Sequence, residues 1–425
     1  MKKFALVFLA VAGLWLSAGA STGDYYLRSS LYLDWFGASY EQGPFMNQVS
    51  TRLKFEFAPS VNRDWTVLVD VRDRYNIQEG SRNQFVLYDA RITYNPQSNP
   101  FYISVGQMNL YDTAGIGQLL GGVLGYKINK DLLLGAYGGL EQQVYVGKFD
   151  THYQKYGLFA RYNGSGATSL SLSYNHLRFS GTTEQSYIYA QGFVPVKKTL
   201  FAFGNVQYEL GPHVAAKDRL SLVFINVRLE LTRYADLTAY FSSGKGLDFH
   251  RYLLEKSQDP SFNDQELQRF FYSSQYGLRL SFKPINNVRV YLSRQESEQK
   301  DFHLKNHTWR FGASASDILK TGFTLYGDYS LNRGDLAESN SYYLSLSKDF
   351  GRFSWYATFS NTYNGFRYVA GAETPQIIHF NNYKTLGSSL FFYLNRRVSV
   401  SIEYNFYIQE KFNQHLFFVR LMFRK

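Results

Sequence analysis

Residues 397–408 read Arg-Val-Ser-Val-Ser-Ile-Glu-Tyr-Asn-Phe-Tyr-Ile, and this two-residue period returns along almost the whole chain. Val398, Val400, Ile402, Tyr404 and Phe406 fall on one face of such a segment, and Ser399, Ser401, Glu403, Asn405 and Tyr407 on the other. Successive side chains of a strand point to opposite faces, so each segment has one apolar and one polar surface. About 22 segments of this kind, within a range of 18–24, follow one another with no helix-period stretch between them. The pattern predicts an all-β chain, an antiparallel up-and-down barrel with hydrocarbon outside and water inside.

The facing is consistent from segment to segment. Trp65, Val67, Val69 and Val71 oppose Thr66, Asp70 and Arg72, and Phe353, Trp355, Ala357 and Phe359 oppose Ser354, Tyr356, Thr358 and Ser360. A slip of one residue would turn Asp70 and Arg72 into hydrocarbon, at roughly 2–4 kcal/mol for a charge near the midplane, so register is strongly specified. Aromatics make up 18% of the chain, with 36 Tyr and 36 Phe, yet mean hydropathy is below zero. Strands that are half polar produce that combination.

The first twenty residues read as a separate address. Lys2 and Lys3 precede an apolar run from Phe4 to Leu16, and Ala18-Gly19-Ala20 is a small-residue cleavage site. This predicts a signal peptide over 1–20 and one barrel domain over 21–425, with no room for an N-terminal plug. No later stretch has eighteen uninterrupted apolar residues, so no transmembrane helix is expected. With no Cys, the chain has no disulfide, thiolate ligand or Cys nucleophile. The formal charge of +11 suits anionic solutes or anionic head groups, and an export signal argues against nucleic acid.

Short links such as 59–63, 129–130, 163–166 and 284–287 alternate with longer ones at 38–46, 109–120, 140–152, 245–268 and 364–378. Phe57, Trp65, Tyr94, Phe101, Tyr102, Phe282, Phe350, Phe353 and Trp355 sit at strand ends beside short links, where they suit an interfacial girdle. The leader, the alternation, the link asymmetry and the aromatic excess together resemble the Gram-negative outer-membrane β-barrel class of porin-like type, over 24–425. Leu416–Phe423 looks like that class's C-terminal assembly signal, although Arg424-Lys425 follow the aromatic and Phe418 stands where Gly is common. The resemblance implies an outer-membrane location, contact with lipid and with the barrel insertion machinery, and passage of small hydrophilic solutes. It implies no enzyme chemistry and no cofactor, and it leaves homo-oligomerisation open.

If the apolar face meets lipid, the lumen receives Arg52, Lys54, Arg72, Arg91, Arg161, Arg228, Arg279, Lys283, Arg289 and Arg310, against Glu56, Asp70, Asp89, Glu230, Asp328 and Glu403. Excess guanidinium predicts a mild anion preference, reduced by whatever pairing occurs across neighbouring strands. Strands about 4.8 Å apart and tilted by about 40° close a 22-strand circle roughly 44 Å across, wide enough to require a constriction. Loop 245–268, with Leu247, Tyr252, Leu253 and Leu254, is the first candidate, loop 364–378 the second and a separate protein in the lumen the third.

Other constellations carry less. His303 and His307 are some 13 Å apart on a strand, too far to share a metal. Asp259, Asp264 and Glu266 lack EF-hand order. Gly115-Ile116-Gly117 lacks the Lys-Ser/Thr of a phosphate loop and reads as a flexible outer loop. Arg333-Gly334-Asp335 reads as a coincidental turn rather than an adhesion tripeptide, and no Gly-x-Ser-x-Gly elbow exists. The leading expectation is a passive channel. A sheath around an electron-transfer or lipoprotein partner is the alternative, and a loop-based adhesin or enzyme comes third.

Overall fold

The computed structural model describes residues 25–40, 45–59, 63–77, 84–110, 113, 115–142, 149–197, 199–211, 214–247, 269–335, 337–368, 376–409 and 413–424. They form one antiparallel sheet of 22 strands. In chain order these are β1 Tyr26–Tyr40, β2 Met46–Ala58, β3 Trp65–Asn76, β4 Gln84–Tyr94, β5 Phe101–Leu110, β6 Gly117–Lys127 and β7 Leu132–Gln142. Then come β8 Phe149–Asn163, β9 Ser169–Phe179, β10 Thr182–Lys197, β11 Leu200–Glu209, β12 Leu220–Thr232, β13 Ala235–Leu247 and β14 Arg269–Ile285. The last eight are β15 Val288–Gln299, β16 Leu304–Ala315, β17 Phe323–Gly334, β18 Ala337–Asp349, β19 Phe353–Tyr368, β20 Gln376–Tyr393, β21 Val398–Ile408 and β22 Asn413–Arg424.

Each strand pairs with its sequence neighbours, and β1 also pairs with β22, from Ser30 against Arg424 to Tyr40 against Gln414. That pairing closes the ring and leaves no sheet edge. One face carries Val105, Leu124, Leu158, Leu172, Leu278, Phe311 and Leu344, all roughly half exposed. A continuous apolar face of this size belongs against lipid, which makes the other face the inner one. On β15 the outer face changes from Val288, Val290 and Leu292 to Arg294, Glu296 and Glu298. Glu296 is bonded there by Tyr276 and Arg294 and lies 3.6 Å from His307, so the hydrocarbon zone ends at that level.

The links sort by end, with exceptions. One end turns through 59–64, 95–100, 128–131, 164–168, 198–199, 233–234, 286–287, 316–322, 350–352 and 394–397. The other turns through longer links such as 77–83, 210–219 and 248–268, but also through the tight turns 180–181, 300–303 and 335–336. Strict short–long alternation therefore fails where a hairpin needs only two to four residues. In one of these turns Arg333 faces Glu338 at 3.7 Å, and Asp335 accepts a bond from the Lys305 backbone at 2.7 Å. The expected link 364–378 shortens to 369–375, because β19 and β20 run longer than the alternation suggested.

At the short-turn end, Trp65 packs on Tyr94 with ring centroids 4.7 Å apart, Phe101 on Tyr126 at 5.6 Å and Phe350 on Phe353 at 4.4 Å. Tyr102 does not join this girdle: it sits on the inner face, packed on buried apolar residues.

Candidate functional site

The inner wall divides into arcs of different chemistry. The first runs across the closure, β22-β1-β2-β3-β4. Arg420 donates to both oxygens of Asp34 at 2.7 and 3.1 Å, joining residues 386 positions apart. Arg72 donates to Ser50 at 3.0 Å and lies 3.8 Å from Asp34. Arg52 grips Asp70 with two bonds of 2.8 Å and lies 4.9 Å from the ring centre of Tyr88, and Arg91 lies 3.4 Å from Asp89. Register places these groups side by side: Asp34 opposes Arg420 and Ser50, and Lys54 opposes Asp70, which opposes Asp89. Two-pronged guanidinium–carboxylate bonds fix the side chains and cancel most of their charge. Lys54 is exposed and makes no ion pair among the described residues.

The second arc, β12–β16, is centred on β14, ten strands from β2 one way round the ring and twelve the other. Arg228 lies 3.7 Å from both Glu230 and Asp236, and Arg289 donates to Asp236. Arg228, Thr238, Arg279, Ser293 and Arg310 oppose one another in turn on β12 to β16, a row in which guanidinium alternates with hydroxyl. Arg279 lies 3.8 Å over the ring of Tyr291, and neither it nor Arg310 has a carboxylate partner among the described residues.

The third arc, β5–β10, is dry. Met108, Leu110, Leu119, Val123, Leu133, Tyr137 and Phe159 form a buried cluster on the inner face, closed by Ile116. Ile116 is 0% exposed and Thr113 4%, so this part of the link between β5 and β6 is packed rather than splayed outward as a flexible loop. Gly115 makes the packing possible. Its φ is +71°, a Cβ would lie 2.8 Å from the Tyr189 Cβ, and its carbonyl accepts a bond from the Tyr187 hydroxyl at 2.9 Å. Below it Tyr137 donates to Asn175 at 2.5 Å, and Asn175 to Ser173 at 2.7 Å. Gly106, Gly121 and Gly139 oppose one another on β5, β6 and β7. A Cβ on Gly121 or Gly139 would meet a neighbouring carbonyl oxygen at 2.1 or 2.3 Å, so the strands can crowd here only without side chains.

Between the dry arc and the closure lies a cavity of about 260 Å³ lined by Arg91, Arg161, Ile116 and Phe159. It adjoins one of about 660 Å³ at the short-turn end, where Arg63, Lys127, Lys130 and Arg161 outnumber Asp131 among the described lining residues. Of the constriction candidates, Tyr252, Leu253 and Leu254 lie outside the described residues. Leu247 ends β13 and its side chain also lies outside them. Among the described residues, Thr113 and Ile116 are buried against the inner wall, a placement that the alternation pattern could not find. Its signal was the apolar and Gly content of 115–125, broken only by Gln118, which suits a strand covered on its inner face. Arg420 was missed because Leu416–Phe423 is apolar on both faces.

The ring closure, the apolar belt and the polar inner face define a large β-barrel of the outer-membrane, porin-like class. No protein-family model matches the chain, and no curated protein matches it by sequence. Among solved structures, it is similar to OpdO of Pseudomonas aeruginosa, at 9% identity and TM-score 0.45, covering 95% of this chain and 97% of that one. It is also similar to OccAB2 of Acinetobacter baumannii, at 8% identity and TM-score 0.46, covering 94% and 98%. The P pilus usher PapC translocation pore is another, at 11% identity and TM-score 0.48, covering 94% and 99%.

Proposed function

We propose that the protein is a passive outer-membrane channel for small hydrophilic solutes. On this reading residues 1–20 direct export, the insertion machinery reads the closing strand β22, and permeation needs no cofactor. The observation that carries the proposal is the closed 22-strand ring whose outer face is an apolar belt and whose inner face bears guanidinium, hydroxyl and carboxylate groups. On this reading Thr113 and Ile116, packed on the inner wall, narrow the lumen from one side and set the size of what passes.

A mild anion preference follows from the arithmetic of pairing. Arg52, Arg72, Arg91, Arg228 and Arg289 face carboxylates within 4 Å and add little net field. Lys54, Arg279 and Arg310 keep their charge, and Arg72 and Arg420 share the single carboxylate of Asp34. Glu56, Asp328 and Glu403, which meet no cation within 4 Å among the described residues, offset part of this excess and keep the preference mild.

Purified protein in planar bilayers tests both statements. Stable single-channel steps are expected, with a reversal potential of anion-selective sign across a potassium chloride gradient. A protein that inserts but never conducts would end the channel reading, and a co-purifying lumenal protein would then favour the sheath. Cation-selective reversal would remove the anion preference alone.

A further inference from the structure

The remaining arc, β17–β21, differs from every other part of the inner wall. Its inner-face positions carry Ser, Thr, Asn and Tyr, with no Lys or Arg among those in the described pairings. Its acids are already engaged. Asp328 is bonded by the hydroxyls of Tyr291 and Tyr326, Glu403 by Asn405 at 2.8 Å, and Asp349 by the Gly351 backbone in the turn at the barrel end.

The tyrosines are ordered along the pore. Pairing places Tyr383 opposite Thr362, Tyr343 opposite Ser360, Tyr326 opposite Ser345, and Tyr356 opposite Ser347. These are four consecutive inner levels, each about 6.7 Å further along the strand direction, descending toward the short-turn end with one of these rings at each. Three of the rings are held in place. Tyr291 and Tyr326 share a hydroxyl–hydroxyl bond of 2.9 Å, Tyr343 and Tyr356 share another, and the rings of Tyr326 and Tyr343 stand 5.8 Å apart. Tyr356 remains 39% exposed.

We infer that this arc is a lane for neutral oligosaccharides. The inference rests on the channel reading and adds the solute class. A pyranose presents apolar C–H faces and a rim of hydroxyls. Fixed, partly exposed rings accept the faces, and the Ser, Thr and Asn groups between them exchange hydrogen bonds with the rim. An anion would find no cation on this arc, and an apolar solute would leave the hydroxyls unpaired.

The test uses the full-length protein and maltotriose. Maltotriose is expected to interrupt single-channel current in a concentration-dependent way. The double variant Tyr343→Ala/Tyr356→Ala should weaken that block about tenfold while open-channel conductance and reversal potential stay close to the parent. Arg279→Gln should leave the block unchanged. Equilibrium dialysis of labelled maltotriose against the detergent-solubilised barrel measures binding without current. A conducting channel that neither blocks with nor binds maltotriose overturns the lane and leaves the channel standing. So does a block that the tyrosine variant does not weaken. Binding lost in that variant, in a protein that does not conduct, overturns the channel and supports the lane.

Discussion

The dry arc β5–β10 and the closure arc β22–β4 are built from the same two-residue alternation and end in opposite chemistry. In the closure arc many inner positions are charged, and the guanidinium groups of Arg52, Arg91 and Arg420 meet carboxylates while Arg72 lies between Ser50 and Asp34. In the dry arc a buried cluster of Leu, Met, Val and aromatic side chains sits beside glycines, with Lys155, Ser173 and Asn175 buried in the same wall, and Ile116 is laid over the cluster. The difference shows that a barrel's inner face is not water-facing by default. Where glycine lets neighbouring strands crowd, the wall can carry its own small core. Where side chains are long and ionised, the wall stays open and is held by pairing. The first arrangement adds packed chain inside the ring and the second fixes charges by pairing, so the two should respond differently to substitution.

The largest effect is expected from Gly139→Val in the dry arc. Its Cβ alone would meet the Leu120 carbonyl oxygen at 2.3 Å, so overpacking should cost about 3 kcal/mol or more. The heat-modifiable folded band on a gel should fade, and normal folding would contradict the crowding argument. Ile116→Ala removes a fully buried side chain whose loss costs about 2–4 kcal/mol. That loss falls on the packed link rather than on the ladder of the barrel, so the variant should fold and show larger or noisier single-channel conductance. Unchanged conductance would mean that this stretch does not limit the bore.

In the closure arc, Asp34→Asn leaves Arg420 and Arg72 without their shared carboxylate. Asp34 is 6% exposed but Arg420 is about 39% exposed, so the cost is expected near 1–2 kcal/mol rather than that of a fully buried pair. Urea unfolding would read this, and anion selectivity should rise because two guanidiniums are released. A fall in selectivity would break the contrast between paired and unpaired cations.

Much of the fold was legible in the sequence. The number of strands and their facing follow from a period of two over nearly the whole chain. Lipid outside and water inside penalise every register slip. The inner girdle was legible for Trp65, Phe101 and Phe353 but not for Tyr102, whose ring is equally suited to an interface and to an apolar inner wall. The expected lumen width called for something to narrow it, and length and apolar content pointed to 245–268, of which 248–268 lies outside the described residues. Among the described residues, Thr113 and Ile116 are packed against the inner wall. A short Gly-rich link is a poor local signal, because its place depends on the cavity that β5–β10 offers.

The two-faced strands are written locally, since alternation lets each strand declare its faces without reference to the rest. Which charges are paired depends on the closed ring, because Asp34 meets Arg420 across 386 residues only where β1 joins β22. The assembled sheet likewise decided that tyrosines from β17, β18, β19 and β20 fall on successive levels of one wall. Register between strands, rather than spacing within any one of them, fixes that order.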